Sequence, residues 1–170
     1  MSDASDITSH FTEFNALNKK CGFRLLSFSE NNNVISAKEI VAFLGSYIRL
    51  EEARYDQIRI IFEVETLHFQ MEALTLLELI YNAIHHGLGG NAPDGKVWVR
   101  IQKGKGEVII EIEDNGKGIT KEAYQKAYEE KRSLFQIKES MESRGGSFRI
   151  DTKENRGSTI YLVIPDTILC

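Results

Sequence analysis

Residues 76–87, LLELIYNAIHHG, form a run that is apolar nearly all the way round a helix and yet carries four polar side chains. Glu78, Asn82 and His86 follow one another at intervals of four, and His85 directly precedes the last of them. At about 100° per residue, all four project from one face of the helix. A buried carboxylate without a partner is costly. These side chains therefore either contact polar loops of the same chain or face a ligand.

A second polar stretch, EDNGKGI at residues 113–119, ends a strongly apolar strand. Asp114 lies at the strand end, where its carboxylate can accept a hydrogen bond from an exocyclic amine such as that of adenine. Gly116 and Gly118 flank a lysine, and glycine permits positive φ and a close approach of the backbone to a ligand. Taken alone, the same residues would also suit an ordinary turn.

A third stretch, NRGSTIYLVIP, begins the last predicted strand of the chain. Gly157, Ser158 and Thr159 offer hydroxyl and N–H groups at the start of that strand. These groups would line the same cavity as the first two stretches, or they would form a solvated turn.

The flanking sequence predicts the elements that hold these stretches. Ser36 and Glu39 form a capping box at the start of a helix that runs to about Tyr55. The other predicted elements, in chain order, are strand 58–65, helix 70–86, strands 96–102 and 107–113 in a hairpin, helix 133–143, and strands 147–152 and 158–165. This order predicts an α/β (α+β) fold, a two-layer sandwich in which a mixed, mostly antiparallel sheet packs against helices.

The composition excludes several functional classes. The chain has 25 acidic and 21 basic side chains with the two signs interspersed, so the basic surface of a nucleic-acid-binding protein is not expected. No apolar run approaches the roughly 20 residues of a membrane span, and the N-terminus lacks the pattern of a signal peptide. Cys21 and Cys170 show no disulfide-framework or metal-site spacing, which favours a reducing cytoplasm.

Taken together, the three stretches resemble the motifs of the GHKL ATPases, which include gyrase-type topoisomerases, heat-shock chaperones, mismatch-repair proteins and histidine kinases. The pattern is E-x-x-x-N-A in a helix, D-x-G-x-G after a strand, and G-[ST] before the last strand. The likeness covers about residues 35–165, and the segments at 36–65 and 143–165 are similar to LytS-like sensor kinases. It implies a GHKL-type ATP-binding domain at 34–167, preceded by a polar segment, 1–33, that would be the remnant of a dimerisation helix.

The resemblance implies roles for residues on the phosphate side of an ATP site. Asn82 would coordinate the Mg²⁺ ion that bridges the phosphates of ATP, and Glu78 would orient or activate the attacking group. His85 and His86 occupy positions where the family often has Lys-His near the phosphates. Such roles are chemically coherent, because phosphoryl transfer depends on positioning and charge neutralisation, and Mg²⁺ prefers oxygen ligands.

On the adenine side, the resemblance implies that Asp114 would bind the amino group of the base. Gly116 and Gly118 would pack under the base, next to Ile119. Ser158 would lie near a water on the adenine side of the site.

One departure from the family concerns its second glycine box, a G-x-G-L pattern that precedes the helix after the lid. Here Lys131, Arg132 and Ser133 stand in place of the glycines, and Leu134 matches the leucine. Arg132 would bind phosphate by charge instead, or the triphosphate site is degraded.

A second departure concerns the phosphoacceptor. Residues 9–18, SHFTEFNALN, approach the H-F-x-F-N-x-L-N helix of LytS-like kinases but have one residue too many between the two phenylalanines. His10 is therefore interpreted as an ordinary surface histidine. The chain is then either a fragment or a stand-alone domain that acts on a partner.

Three functions remain open at this point. The first is an ATP- and Mg²⁺-binding kinase-type domain of bacterial two-component signalling, cytoplasmic, which transfers a phosphoryl group to a histidine on another segment or partner. The second is a stand-alone serine kinase similar to anti-sigma factors. LytS-like kinases usually have an acid immediately before the asparagine, where this chain has Tyr81, so the helix is more similar to that of the anti-sigma factors. The third is a catalytically silent GHKL module that acts by binding a partner.

The implied partners are ATP and a protein that carries the phosphoacceptor or is a response regulator. Neither nucleic acid nor a membrane segment is expected. Apolar positions on helix 36–55 would allow a homodimer, although in a chain of this length such positions more often belong to the core.

Overall fold

The computed structural model describes residues 34–89, 92–130 and 132–166 of the chain. The predicted segment 1–33 with His10, and also Lys131, lie outside the described residues. In chain order the elements are β1 Val34–Ser36, α1 Ala37–Arg54, β2 Ile58–Val64, β3 Gln70–Glu72, α2 Ala73–Asn82 with a π-helical turn Ala83–Gly87, β4 Gly95–Lys103, β5 Glu107–Asp114, α3 Lys121–Glu129, α4 Ser133–Ser143, β6 Ser147–Lys153 and β7 Gly157–Pro165.

The main sheet has five strands in the order β2-β4-β5-β7-β6. β2 runs parallel to β4, and the other neighbouring strands pair antiparallel. The register places Asp114, the last residue of β5, opposite Val97 on one side and Ser158 on the other. The predicted mixed, mostly antiparallel sheet and the predicted β4–β5 hairpin are therefore confirmed.

The core lies between one face of this sheet and the helices. Along β5, Val108, Ile110 and Ile112 are buried, while the alternating residues are only half-buried. This two-residue period turns every second side chain towards the same layer. Helices α1 and α2 cover that layer with their own buried apolar residues, so the predicted two-layer sandwich is also confirmed. No helix in the described ranges is long and apolar enough to cross a bilayer.

The predicted helix 70–86 is wrong at its start, while its end at about Gly87 agrees with the structure. Residues Gln70–Glu72 form a short strand that pairs with Val34–Ser36, and the helix begins only at Ala73. The pairing of β1 with β3 is a contact between segments far apart in the sequence, which helical spacing alone cannot reveal. At the other end, the last turn is π-helical, with the Leu88 N–H donating to the Ala83 carbonyl at 2.9 Å.

A second difference is helix α3, which is absent from the predicted elements. The helix begins after Thr120, whose hydroxyl accepts the Ala123 N–H at 3.1 Å. It buries no residue in the core, so the apolar spacing that predicts helices was too weak there. Its attachment is aromatic instead, because Tyr124 and Tyr128 both lie edge-on against Phe135 of α4.

The capping box predicted at the start of α1 is confirmed. The Ser36 hydroxyl accepts the Glu39 N–H at 3.4 Å, and the Glu39 carboxylate accepts the Ser36 N–H at 3.1 Å. Both otherwise free N–H groups at this end of the helix therefore have partners.

We expect Ser36→Ala to lower the free energy of unfolding by about 1 kcal/mol, the usual contribution of an N-cap side chain. Urea denaturation followed by circular dichroism measures the change. Ser36→Thr is the matched control, because threonine keeps the hydroxyl that caps the helix, and it should stay close to the parent chain. Equal stability of the alanine variant and the parent would show that the cap contributes nothing.

Candidate functional site

The Asp114 carboxylate is the centre of the candidate site. It is only 7% exposed although it stands at the end of a strand. The Gly116 N–H donates to its Oδ1 at 2.9 Å, and the backbone N–H of Ser158 donates to it as well. Burial raises the pKa of Asp114 above its ordinary value of 3.8, and the two backbone hydrogen bonds only partly oppose that shift.

The C-terminal end of α2 packs directly against this carboxylate. A Cβ placed on Gly87 would lie 2.8 Å from the Asp114 Cγ, and one on Gly116 would collide with the Gly87 carbonyl. The same carbonyl accepts the Lys117 N–H at 3.1 Å. The two stretches that the sequence analysis singled out therefore meet, and glycine is required on both sides of the contact.

The β6–β7 hairpin closes the site from a third direction. Gly118 and Gly157 both have positive φ, 68° and 86°. A Cβ at Gly118 would collide with the Lys153 carbonyl, and one at Gly157 would collide with the Asp114 carbonyl. The Asn155 N–H donates to the Lys117 carbonyl at 2.7 Å. Backbone thus packs on backbone where the loop after β5 crosses the hairpin.

The sequence analysis missed Thr152, which joins the loop to the hairpin. Its hydroxyl accepts the Ile119 N–H at 2.7 Å and lies 2.9 Å from the Ser158 hydroxyl. Thr152 stands opposite Ser158 in the register of β6 and β7. Pairing the two predicted strands across their turn would have placed these two hydroxyl groups side by side.

The polar side chains of α2 lie in two different environments. Glu78 and Asn82 are half-buried, so part of each side chain stays accessible. His85 instead contacts α1, where its Nε2 lies 3.4 Å from a carboxylate oxygen of Glu51. His86 is exposed and meets the ring of Tyr81 edge-on.

Arg132 is also directed to a partner within the chain. Its guanidinium lies 2.7 Å from the Glu130 carboxylate and donates a second hydrogen bond to it through Nε at 2.8 Å. The structure therefore brings together Asp114, Gly116, Gly118, Ile119 and Ser158, and it gives His85 and Arg132 contacts elsewhere. The phosphate-binding roles of these last two residues remain predictions.

A family model described as histidine kinase-, DNA gyrase B- and HSP90-like ATPase matches residues 73–168. The chain belongs to this family. Its helix α2, the strand-end Asp114 and the β6–β7 hairpin all fall within the matched range. The GHKL resemblance found in the sequence is therefore confirmed.

Curated relatives include the uncharacterized protein YwpD and several sensor histidine kinases. YwpD of Bacillus subtilis is 26% identical over 124 residues, which cover 70% of this chain and 41% of YwpD. A sensor-like histidine kinase of Chloroflexus aurantiacus is 31% identical over 121 residues, or 69% of this chain and 19% of that protein. The sensor protein LytS of Staphylococcus saprophyticus is 29% identical over 98 residues, or 56% of this chain and 17% of LytS. The chain thus spans less than half the length of these relatives.

Solved histidine kinase domains share the fold. The histidine kinase domain of the blue-light activated kinase EL346 of Erythrobacter litoralis has a TM-score of 0.64 at 15% identity, covering 95% of this chain and 77% of that domain. The catalytic domain of histidine kinase ThkA has a TM-score of 0.59 at 15% identity, covering 81% of this chain and 98% of that domain.

We predict that Asp114→Asn will be more stable relative to the parent at pH 7 than at pH 4. A carboxyl group whose pKa is raised by folding binds more protons in the folded state. Its contribution to stability is therefore present below the ordinary pKa of 3.8 and is lost as the pH rises through the folded-state pKa. The amide that this substitution introduces carries no charge, so its burial has no such dependence.

Urea denaturation between pH 4 and pH 7 measures this difference. Asp56→Asn, at an exposed position, is the control and should show no comparable dependence on pH. A stability difference between Asp114→Asn and the parent that stays constant over this range would contradict the raised pKa of Asp114.

Proposed function

We propose that the chain is the ATP- and Mg²⁺-binding, kinase-type domain of a bacterial two-component signalling protein. The observation that carries the proposal is the contact between the buried Asp114 carboxylate and the glycine at the end of α2. This contact joins the strand-end acid, which suits a purine amine, to the helix that carries Glu78 and Asn82. The family match of residues 73–168 supports the same function.

On the adenine side, Asp114 supplies a hydrogen-bond acceptor whose position is fixed by two backbone N–H donors. The Gly87 and Lys153 carbonyls fill the space that side chains at Gly116 and Gly118 would need, so these glycines fix the loop beside Asp114. We propose that the base packs over this loop. We propose that Asp114 accepts a hydrogen bond from the adenine amino group. Ser158, with Thr152 beside it, would hold a water on the same side of the base.

On the phosphate side, partly accessible side-chain oxygen atoms could bind a hard cation such as Mg²⁺. Asn82 offers an amide oxygen, and Glu78 stands one helical turn before it. Mg²⁺ usually takes one or two protein oxygens and completes its coordination with phosphate oxygens and water. This fits the described residues, where no cluster of three or more His, Cys, Asp or Glu side chains could hold a metal alone. We propose Asn82 as the protein ligand of a Mg²⁺ ion that neutralises phosphate charge.

The proposed reaction moves the γ-phosphoryl group of ATP to a histidine nitrogen. The bond between the γ-phosphorus and the bridging oxygen breaks, a phosphorus–nitrogen bond forms, and ADP leaves with the electron pair. Glu78 would orient the attacking imidazole. His86, which is exposed, would contribute to phosphate binding.

The acceptor histidine would lie on another segment or on a partner protein. A response regulator is the second expected partner, since one structural neighbour is histidine kinase ThkA in complex with the response regulator TrrA. We expect the reaction to take place in the cytoplasm, where ATP is available. Homodimerisation through α1 remains part of the hypothesis.

The pairing of Arg132 with Glu130 favours a second candidate, a GHKL module that has lost catalysis and acts by binding a partner. The segment before α4 lacks the second glycine box, and its Arg132 is paired with Glu130, so it has fewer groups available to bind a triphosphate. Serine phosphorylation of an anti-sigma-type partner is the third candidate. Phosphotransfer from labelled ATP to candidate histidine and serine partners distinguishes the three.

We expect the chain to bind a non-hydrolysable ATP analogue more tightly with Mg²⁺ than without it. Asn82→Ala should abolish this Mg²⁺-dependent gain, lowering affinity on the order of tenfold, because it removes a ligand oxygen without changing the apolar face of α2. Isothermal titration with and without Mg²⁺ measures both values.

Gln102→Ala, an exposed amide on β4, is the matched control for that titration. Unchanged Mg²⁺-dependent affinity in Asn82→Ala would remove the metal assignment. No detectable binding to the parent chain at millimolar nucleotide would reject both kinase functions.

A further inference from the structure

A buried acid on α1 lies outside the residues assigned to the nucleotide. Glu51 is 1% exposed, and its carboxylate faces the Nε2 atom of His85 at 3.4 Å. The hydroxyl of Tyr47 lies against the same carboxylate, and its pKa is raised by burial and by the charge of Glu51. Glu51 and His85 belong to different helices, so the pair ties α1 to the end of α2.

Aromatic rings enclose the histidine of this pair. Tyr81 stacks on the imidazole of His85 with ring centres 4.1 Å apart, and Tyr55 meets it edge-on at 5.6 Å. Desolvating a carboxylate costs several kcal/mol unless good partners compensate. A pair that is this enclosed holds the imidazole in one place and orientation.

His85 lies within the π-helical turn Ala83–Gly87, whose last residue reaches the candidate site. The Gly87 carbonyl accepts the Lys117 N–H from the loop after β5, and the Gly87 backbone packs against Asp114. π-helical turns within α-helices are uncommon and are often found at functional sites. Here the turn is held on one side by Glu51 and on the other by the loop after β5.

We propose that Glu51 is a positioning residue for the nucleotide site, acting through His85 to hold the π-helical turn against Asp114 and the loop at Gly116 and Lys117. The expected effect on nucleotide affinity rests on the proposed function. The connection from Glu51 through His85 to the loop after β5 does not require a bound nucleotide.

Hydrogen exchange of single backbone amides, followed by NMR without nucleotide, tests the link. The Lys117 N–H reports on the contact with Gly87, and the Ile119 N–H, bonded to Thr152 at 2.7 Å, is the internal reference in the same loop. Glu51→Leu removes the carboxylate that His85 contacts. Glu51→Gln keeps an acceptor oxygen of the same reach, and Glu139→Gln, exposed on α4, is the matched control.

In Glu51→Leu we expect the Lys117 amide to exchange about tenfold faster while the Ile119 amide changes little, because only the turn is released. Glu51→Gln should recover most of the protection, and Glu139→Gln should match the parent. A loss of protection shared equally by both amides, or by neither, would overturn the proposal.

Breaking a buried pair can prevent folding. In that case the double variant Glu51→Leu with His85→Phe, which replaces both polar side chains with apolar ones, carries the same exchange test. Faster exchange of the Lys117 amide alone supports the link in this variant too, and unchanged exchange overturns it.

Nucleotide titration of the same variants separates this proposal from the proposed function. If the parent binds the ATP analogue, Glu51→Leu should bind it about tenfold more weakly and Glu51→Gln nearly as well as the parent. Equal affinity of Glu51→Leu and the parent would overturn the positioning role. If the parent binds no nucleotide, the proposed function fails, and the exchange result still decides whether α1 controls the loop.

Discussion

The packing of the Gly87 backbone against the Asp114 carboxylate is the contact on which the candidate site depends. It allows a helix end, a strand end and a hairpin to meet within a few ångströms. Side chains are excluded at each crossing, since a Cβ at Gly87, Gly116 or Gly157 would be too close to Asp114 or to the Gly87 carbonyl. The result is a buried acceptor, Asp114, whose position is fixed by close packing of backbone on backbone.

Helix α2 is held at both ends by contacts with other helices. At its start, the Glu72 carboxylate accepts a hydrogen bond from the Ser140 hydroxyl at 2.9 Å and pairs with Arg144 at 2.7 Å. At its end, His85 pairs with Glu51 of α1. The helix that carries Glu78 and Asn82 therefore contacts both α1 and α4.

Local patterns predicted most of the fold. The capping box at Ser36, the β4–β5 hairpin and the bounds of α4 depend on neighbouring residues, so the sequence alone reveals them. The β1–β3 pairing and helix α3 depend instead on contacts with distant segments or on a few aromatic rings, and these contacts leave little trace in hydrophobic spacing.

The candidate site shows the same division. Glycine and acid spacing marked Asp114, Gly116 and Gly118, and their likeness to a known family joined them to Asn82. Spacing could not reveal that His85 faces a buried acid on another helix, because the helical wheel places it beside His86 and Asn82. The π-helical turn changes the direction of that side chain, and turns of this kind have no simple sequence signature.

We propose that the Asn82 end of α2 and the loop after Asp114 form one nucleotide site. Amide NMR spectra recorded during titration with ATP and Mg²⁺ test it directly, because each group reports separately. We expect the resonances of the Asn82 side-chain amide and of the Gly116 and Gly118 backbone amides to shift together, with one common midpoint. Shifts confined to one of the two regions, or separate midpoints for them, would contradict it.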